Sequence, residues 1–273
     1  QDGIRDCLLS RGLGDVYKRQ EYILSGFIVG VLVGLTGVGG GSLMTPLLVL
    51  LFKFPAAIAV GTDLLYASIT KSFGVFNHNK LGHINWGIVG YLMLGSLPAS
   101  IFMNQYIQDI DISSSDTIGF IEMWLGIALI FTSAAVLAQP FIINKSKKNE
   151  IYNIKNAKMF TVFLGLLLGG MVTLTSVGAG AMGVTALLLI YPRMKIKNII
   201  GTDIAHAVPL TLFAGLGHYT LGNVDTILLV SLLIGSIPGV WIGSSLSSKI
   251  DENKLRYILV LILLGVGIKL ILN

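Results

Sequence analysis

The chain has 273 residues, of which 53% are hydrophobic and only 12% are charged. A soluble domain usually carries about 25% charged residues, so this density cannot coat a globule in water. Most soluble enzymes and nucleic-acid-binding modules are therefore excluded, and we interpret the net charge of +5 as a signal of membrane orientation. The single cysteine, Cys7, cannot form an internal disulfide and leaves no Cys cluster for a metal.

The N-terminal stretch 1–20 differs from the rest of the chain. It is rich in charge, lacks helical periodicity and contains too short an apolar core for a signal peptide. The run RGLGDVYKRQ at 11–20 resembles translated adapter sequence. We expect the stretch 1–20 to be a non-native tail, with the native start lost or near Glu21.

Ten apolar segments follow. Six have about 19 to 23 residues, enough to cross a hydrocarbon core of about 30 Å at about 1.5 Å per residue; they lie at 57–76, 84–105, 117–139, 199–217, 225–247 and 254–272. The other four are shorter and form two pairs, 22–36 with 42–52 and 157–174 with 181–191. We expect each pair to be a hairpin that enters the membrane from one side.

The second half of the chain repeats the first. A register shift of 140 places the Gly-Thr-Asp motif at 61–63 on the one at 201–203, with 12 identities over the 38 positions of 61–98. A shift of 139 aligns the Gly-rich stretch 36–41 with 175–180. We expect two halves joined by a basic cytoplasmic linker, with boundaries at 21–140, 141–156 and 157–273.

Orientation follows from the basic residues. The stretch between the halves is rich in lysine, and cytoplasmic loops are enriched in Lys and Arg, so we place it inside. Five segments per half is an odd number, so the second half enters from the opposite face, as in many secondary transporters. The predicted fold is an all-α polytopic integral membrane protein with two inverted-topology repeats. Each repeat has about three spanning helices plus a short helical hairpin with a Gly-rich tip.

The two hairpin tips, LTGVGGGS at 35–42 and LTSVGAGA at 174–181, lead into short helices. Helix N-termini bind anions through unpaired N–H groups and the positive end of the dipole. We predict a small-anion site between the tips; the alternative is that the glycines only permit close helix packing. The substrate-binding candidates are Thr36, Gly37, Gly39, Gly40, Gly41, Ser42, Thr175, Ser176, Gly178 and Gly180.

Two acidic residues, Asp63 and Asp203, lie inside apolar segments, where an ionised carboxylate is costly and usually faces a partner or a pathway. Either they couple transport to a proton or cation, or they support the Gly-rich loops through Thr62 and Thr202. A third interpretation is that each caps a helix beginning only at the Gly-Thr-Asp motif. His206, three residues after Asp203, would share its face as a candidate proton relay.

Three further polar residues admit two interpretations each. Lys71 lies eight residues after Asp63 and could attract an anion or pair with that carboxylate, but we favour snorkelling to the cytoplasmic interface. His78 and His218 lie at the ends of equivalent apolar segments. We favour solvated positions at the membrane interface for both histidines over a role in titration.

The sequence resembles a known family. The stretch LVGLTGVGGGSLMTPLLVL at 32–50, with the later GTD at 61–63, is similar to the first signature of the sulfite exporter TauE/SafE family. The second half is similar through TLTSVGAGAMGV at 173–184 and IIGTDIAHAVPLTLFAGLGHYTLGNVD at 199–225. The resemblance covers residues 22–272. It implies a prokaryotic multi-pass permease of the cell (cytoplasmic) membrane, with about eight helices, that exports or takes up sulfite, sulfonates and related small anions.

We therefore predict a secondary transporter of sulfite or related sulfur oxyanions or organosulfonates that works by alternating access. The alternatives are an anion channel of the same architecture and an intramembrane enzyme. The enzyme lacks a metal-binding cluster and a convincing nucleophile-base pair, although Asp203 with His206 keeps it open. We expect no enzyme activity, no cofactor and no metal. The expected partners are a small anion, the lipid bilayer and a coupling proton or cation, without nucleic acid; homo-oligomerisation is left open.

Overall fold

The computed structural model describes residues 19–35, 41–110, 115–147, 156–246 and 252–272. These ranges form ten helices and contain no strand. The helices are α1 (19–35), α2 (Gly41–Leu50), α3 (Ala56–Lys80), α4 (Trp86–Gln108), α5 (Ser115–Lys147), α6 (Ala157–Thr175), α7 (Ala181–Ile190), α8 (Ile196–Thr220), α9 (Thr226–Leu246) and α10 (Glu252–Leu272). Apart from residues 19 and 20, which begin α1, the predicted tail lies outside the described residues.

Six helices in the described ranges are long and apolar enough to cross a membrane, namely α4, α5, α6, α8, α9 and α10. The prediction of an all-α polytopic membrane protein is confirmed. Many large apolar side chains lie on the outer surface, where they can face lipid, including Phe73, Phe131, Trp241 and Leu261.

Five of these six helices match the spanning segments predicted from the sequence. The sixth is α6 and not α3. We expected the segment at 157–174 to be too short to span, and this was wrong: α6 has 19 residues, about 28 Å at about 1.5 Å per residue. Helix α3, predicted to span, has 25 residues but is not among the six. It carries Asp63 and Lys71 in its buried face, which makes it less apolar than its neighbours.

Helices α4 and α6 pack with their backbones almost in contact. A Cβ atom on Gly95 would overlap the carbonyl oxygen of Val162, and one on Gly165 or Gly169 would overlap the backbone of Leu92 or Ser96. Small residues allow this approach because no side chain separates the helices. Residue numbers in these contacts rise along both helices, so α4 and α6 run parallel.

The same arrangement recurs between α1 and α9. Cβ atoms on Gly26 and Gly30 would overlap the backbone of Leu232 and Ser236. These partners are the repeat equivalents of Leu92 and Ser96 in the other pair. Each half therefore packs its first helix against the fourth helix of the other half, and the contacts are exchanged between the halves.

The equivalent helices α3 and α8 pack against each other. The Ser68 hydroxyl lies 3.3 Å from the Val208 carbonyl oxygen, to which it donates. A Cβ atom on Gly74 would contact Ile204, while one on Gly215 would meet Leu65. Residue numbers in these contacts rise along α3 and fall along α8, so the two equivalent helices run antiparallel.

The exchanged glycine contacts predict a position-dependent effect of alanine in α4. Gly95→Ala should lower the free energy of unfolding by about 1–3 kcal/mol, because the added methyl group overpacks the α4/α6 contact. The matched variant Gly90→Ala should leave stability unchanged or raised, because that position is exposed and a Cβ there meets nothing within 4 Å. Thermal unfolding in detergent measures both. Equal effects of the two substitutions would contradict the packing.

Candidate functional site

The threonines of the two Gly-Thr-Asp motifs each anchor a loop from the opposite half. Thr62 Oγ1 accepts a hydrogen bond from the Asp225 backbone N–H at 3.1 Å. Thr202 Oγ1 accepts one from the Asn85 N–H at 3.0 Å. The two donors, like the two acceptors, occupy equivalent positions of the repeat. The motif therefore joins the halves through two equivalent hydrogen bonds.

The glycines of the two motifs are needed at the same contacts. A Cβ atom on Gly61 would overlap the Asn223 carbonyl oxygen, and one on Gly201 would lie 2.8 Å from the His83 carbonyl oxygen. Any side chain would push the opposing loop away and break the threonine hydrogen bond beside it. Packing thus accounts for the glycine and the threonine of each repeated motif.

The first aspartate, Asp63, is fully buried inside α3. The Thr45 hydroxyl on α2 donates to its Oδ2 at 2.5 Å, while Oδ1 has no hydrogen-bond partner among the described residues. Since α3 begins at Ala56, Asp63 does not cap its own helix, and that interpretation is wrong. Instead, the carboxylate fixes the first turns of α2 against α3.

The second aspartate, Asp203, is also buried within its helix, so it does not cap α8. A Cβ atom on Gly183 would overlap Oδ1, which places the carboxylate against the first turn of α7. The Gly180 N–H lies close enough to act on it electrostatically, but neither carboxylate oxygen has a partner of hydrogen-bonding geometry among the described residues. The Asp203 carboxylate is therefore stabilised by the Gly180 N–H and the Lys71 ammonium and not by a side-chain hydrogen bond among the described residues.

The second Gly-rich loop is described in full. Gly178 and Gly180 have φ values of +126° and +128°, a conformation that L side chains rarely adopt. Gly183 N donates to the Gly178 carbonyl at 3.2 Å, and Val184 N donates to that of Gly180 at 2.8 Å. Within the described residues, no backbone carbonyl accepts the N–H groups of 178–182, which lie at the N-terminus of α7.

The two hydroxyls that precede these glycines are used differently. Thr175 Oγ1 donates to the Met171 carbonyl at 2.7 Å and accepts from Val177 N at 3.2 Å, so it holds the loop. Ser176 is 4% exposed and adopts a left-handed conformation with φ +58°. Its Oγ is near the Asp63 carboxylate but has no partner of hydrogen-bonding geometry in the described part of the chain. The Ser176 hydroxyl thus lies beside the Asp63 carboxylate without a hydrogen bond of full geometry in the described residues.

Lys71 does not snorkel, and our expectation was wrong. Its side chain is 8% exposed, and Nζ donates to the Ala179 carbonyl in the second Gly-rich loop at 3.0 Å. The reason is its helical register. Lys71 follows Leu64 and Ala67 at spacings of seven and four residues on the buried face of α3, so its side chain points inward with theirs.

Two histidines connect α8 to its neighbours. His206 is fully buried, and its Nε2 lies 2.8 Å from the Ser96 hydroxyl on α4. His218 is 2% exposed, with Nε2 3.0 Å from the Thr173 carbonyl oxygen. The expectation of a solvated interfacial position was thus wrong for His218, because α6 covers it. His78 is partly exposed and packs against the ring of His83.

The first Gly-rich loop is only partly described. Thr36, Gly37, Gly39 and Gly40 lie outside the described residues, and Gly41 and Ser42 begin α2. Their predicted contribution to substrate binding stays a prediction. Of the other candidates, the structure brings Asp63, Asp203 and His206 into the same interior as the second loop, with Thr62 and Thr202 at the inter-half contacts.

Thr45 and Ser96 were missed as partners of buried polar groups. A signal existed for both, because each recurs as a residue of the same type at the equivalent position of the repeat, Thr185 and Ser236. In the described ranges, no group of three or more His, Cys, Asp or Glu side chains could hold a metal ion.

Comparison with known proteins identifies the family. The family model described as sulfite exporter TauE/SafE matches residues 22–270. The chain belongs to this family. The resemblance seen in the sequence is thereby confirmed, and with it the general function of a membrane transporter.

Related proteins carry matching names. This family member is 40% identical over 251 residues to the probable membrane transporter protein YjnA of Bacillus subtilis (strain 168), covering 91% of this chain and 98% of the relative. It is 29% identical over 265 residues to the probable membrane transporter protein MJ0441 of Methanocaldococcus jannaschii, covering 92% and 94%. It is 26% identical over 234 residues to YdhB of Bacillus subtilis, covering 86% and 92%. No solved structure matches the chain.

Proposed function

We propose that this protein is a secondary transporter of small anions in the cell membrane, with sulfite or a related sulfur oxyanion or organosulfonate as substrate. The observation that carries the proposal is the second Gly-rich loop. Its N–H groups at 178–182 meet no backbone acceptor in the described residues, and the buried Ser176 hydroxyl beside them makes no hydrogen bond there. The family description and the transporter names of the relatives favour transport over catalysis.

The loop has the chemistry to hold an oxyanion. Backbone N–H groups at the start of α7 and the positive end of its dipole attract negative charge without a net positive charge. Gly178 and Gly180 adopt positive φ values that L side chains rarely adopt, and the loop leads directly into the N-terminus of α7. The Ser176 hydroxyl adds a donor, while Thr175 keeps the loop in shape. The first Gly-rich loop, from Thr36 to Ser42, supplies the opposite wall in this proposal.

Alternating access is supported by the relation between the halves. Equivalent helices α3 and α8 run antiparallel, and equivalent contacts are exchanged between the halves, as expected for an inverted repeat. Inverted repeats allow a carrier to rock one half against the other around a fixed central site, which opens first to one face and then to the other.

The buried charges require a coupling ion in this account. Asp63 and Asp203 with Lys71 sum to a charge of −1 when all three are ionised, which opposes the entry of an anion. A proton or small cation bound at Asp203 would remove that opposition. Asp203 is the better candidate because both of its oxygens lack hydrogen-bond partners among the described residues, whereas Asp63 is already bonded to Thr45.

The substrate site is tested by Ser176→Ala. Removing this hydroxyl takes away only its weak interaction with the Asp63 carboxylate, so thermal stability should change little. The KM for sulfite uptake into proteoliposomes should rise about threefold to tenfold, through loss of one hydrogen bond. Ser133→Ala, at a buried serine of α5 bonded to its own helix, is the matched control and should leave KM unchanged. An unaltered KM for Ser176→Ala would contradict the site.

The coupling role is tested by Asp203→Asn. Asparagine cannot exchange a proton or offer a full negative charge, so sulfite flux should persist but lose its dependence on an imposed proton or sodium gradient. Asp225→Asn is the control, because asparagine occupies the equivalent position at Asn85 and caps its helix in the same way. Retained gradient dependence in Asp203→Asn would contradict the assignment. Wild-type flux that neither saturates nor responds to a gradient would indicate an anion channel.

A further inference from the structure

One buried positive charge breaks the equivalence of the halves. Lys71 corresponds to Thr211 in the repeat. The Thr211 hydroxyl donates within its own helix, to the Ala207 carbonyl at 2.9 Å. Lys71 instead reaches across to the second Gly-rich loop. The sequence repeat thus accounts for the position of the residue but not for its charge.

The described residues leave the Lys71 ammonium with spare N–H donors. It carries three N–H donors, and the described residues supply one hydrogen-bond acceptor, the Ala179 carbonyl oxygen at 3.0 Å. A buried ammonium with spare donors is costly unless something pairs with it. The interior around Lys71 therefore favours an incoming acceptor.

Neither nearby carboxylate has a recorded hydrogen bond with the Lys71 ammonium among the described residues. Asp63 and Asp203 both act electrostatically on Lys71. However, the hydrogen bond recorded at Asp63 comes from Thr45, and Asp203 has none among the described residues. His206, the other titratable side chain that interacts with Lys71, is bonded to Ser96. Asp63 and Asp203 therefore attract the Lys71 ammonium electrostatically, whereas its hydrogen bond is to the Ala179 carbonyl of the second Gly-rich loop.

We propose that Lys71 is the residue that selects for negative charge at the transport site. Its ammonium already lies at the Ala179 carbonyl, inside the loop whose N–H groups would hold the substrate. An oxyanion bound there would take one hydrogen bond from Lys71 while its other oxygens take the loop N–H groups and the Ser176 hydroxyl. The inference rests on the proposed function and adds the group that distinguishes an anion from a neutral molecule of the same shape.

The substrate class follows from this donor set. A sulfite ion or a sulfonate head group offers three oxygens around one sulfur, enough to meet an ammonium, a hydroxyl and backbone N–H groups together. Dimethyl sulfone also carries oxygens on a central sulfur, but it has two of them and no charge. Wild-type protein should therefore bind sulfite and methanesulfonate and discriminate strongly against dimethyl sulfone, because charge-assisted hydrogen bonds are the stronger ones.

The experiment is isothermal titration calorimetry on purified full-length protein in detergent, with sulfite as ligand. Lys71→Gln keeps an N–H donor for the Ala179 carbonyl but removes the charge, and should weaken sulfite binding about tenfold to hundredfold. Lys71→Arg restores the charge and should bind within about threefold of wild type. Lys80→Gln, at the exposed end of α3, should bind like wild type. Thermal unfolding without ligand confirms that each variant is folded.

The outcomes separate this inference from the proposed function. Wild-type affinity in Lys71→Gln, alongside measurable wild-type binding, would overturn the role of Lys71 and leave the anion site standing. Equal weakening by Lys71→Gln and Lys71→Arg would also overturn it, because shape and not charge would then matter. A wild-type protein that binds neither sulfite, thiosulfate nor methanesulfonate would overturn the proposed function, and the inference with it.

Discussion

The structure depends on one interaction made twice: a buried threonine hydroxyl of one half accepts a backbone N–H from the loop before the fourth helix of the other half. Thr62 meets Asp225, and Thr202 meets Asn85. An acceptor left without its donor in an apolar interior costs about 1–3 kcal/mol, so both halves must be present for either motif to be satisfied. The close approach at Gly61 and Gly201 leaves no room for another arrangement of these loops.

This constraint places the polar residues that follow it. Each threonine precedes an aspartate, and fixing the threonine at the inter-half contact turns Asp63 toward α2 and Asp203 toward α7. Asp203 lies against the first turn of α7, where the helix dipole favours negative charge, and Asp63 is bonded to Thr45, the fifth residue of α2. Each half thus places a buried carboxylate beside its short helix. In the second half, the Gly-rich loop and Lys71 add donors around that point.

Much of the fold could be predicted because the membrane acts on patterns that are visible in the sequence. Length and apolarity identify five of the six spanning helices, and α6 takes the place predicted for α3. The internal repeat identifies which helices of the two halves are equivalent. Helix α3 was predicted to span because it is long enough to cross the membrane, but Asp63 and Lys71 make it less apolar than the six spanning helices. Hydropathy reports average composition, whereas a helix in the centre of a bundle contacts protein more than lipid.

The polar interior was predicted less well, for a physical reason. Whether Lys71 and His218 face lipid, water or protein depends on which neighbour covers them, and the neighbours, Ala179 for one and Thr173 for the other, are far away in the sequence. Helical register fixes the side of a helix on which a residue lies, but not what packs there. Asp63 and Asp203 were identified as important because each is an acidic residue in an apolar segment and the repeat duplicates it, but the sequence left their role open.

Alternating access around a central site requires the two halves to have opposite orientations in the bilayer, and labelling of two equivalent positions measures this directly. In a Cys7→Ser background, cysteine is introduced singly at Lys80 and at Thr220, exposed residues that end α3 and α8 and are equivalent in the repeat. A membrane-impermeant maleimide should label the cysteine at 220 in intact cells and the cysteine at 80 only after permeabilisation. Labelling of both from the same side would contradict the inverted arrangement, and the central site built on it.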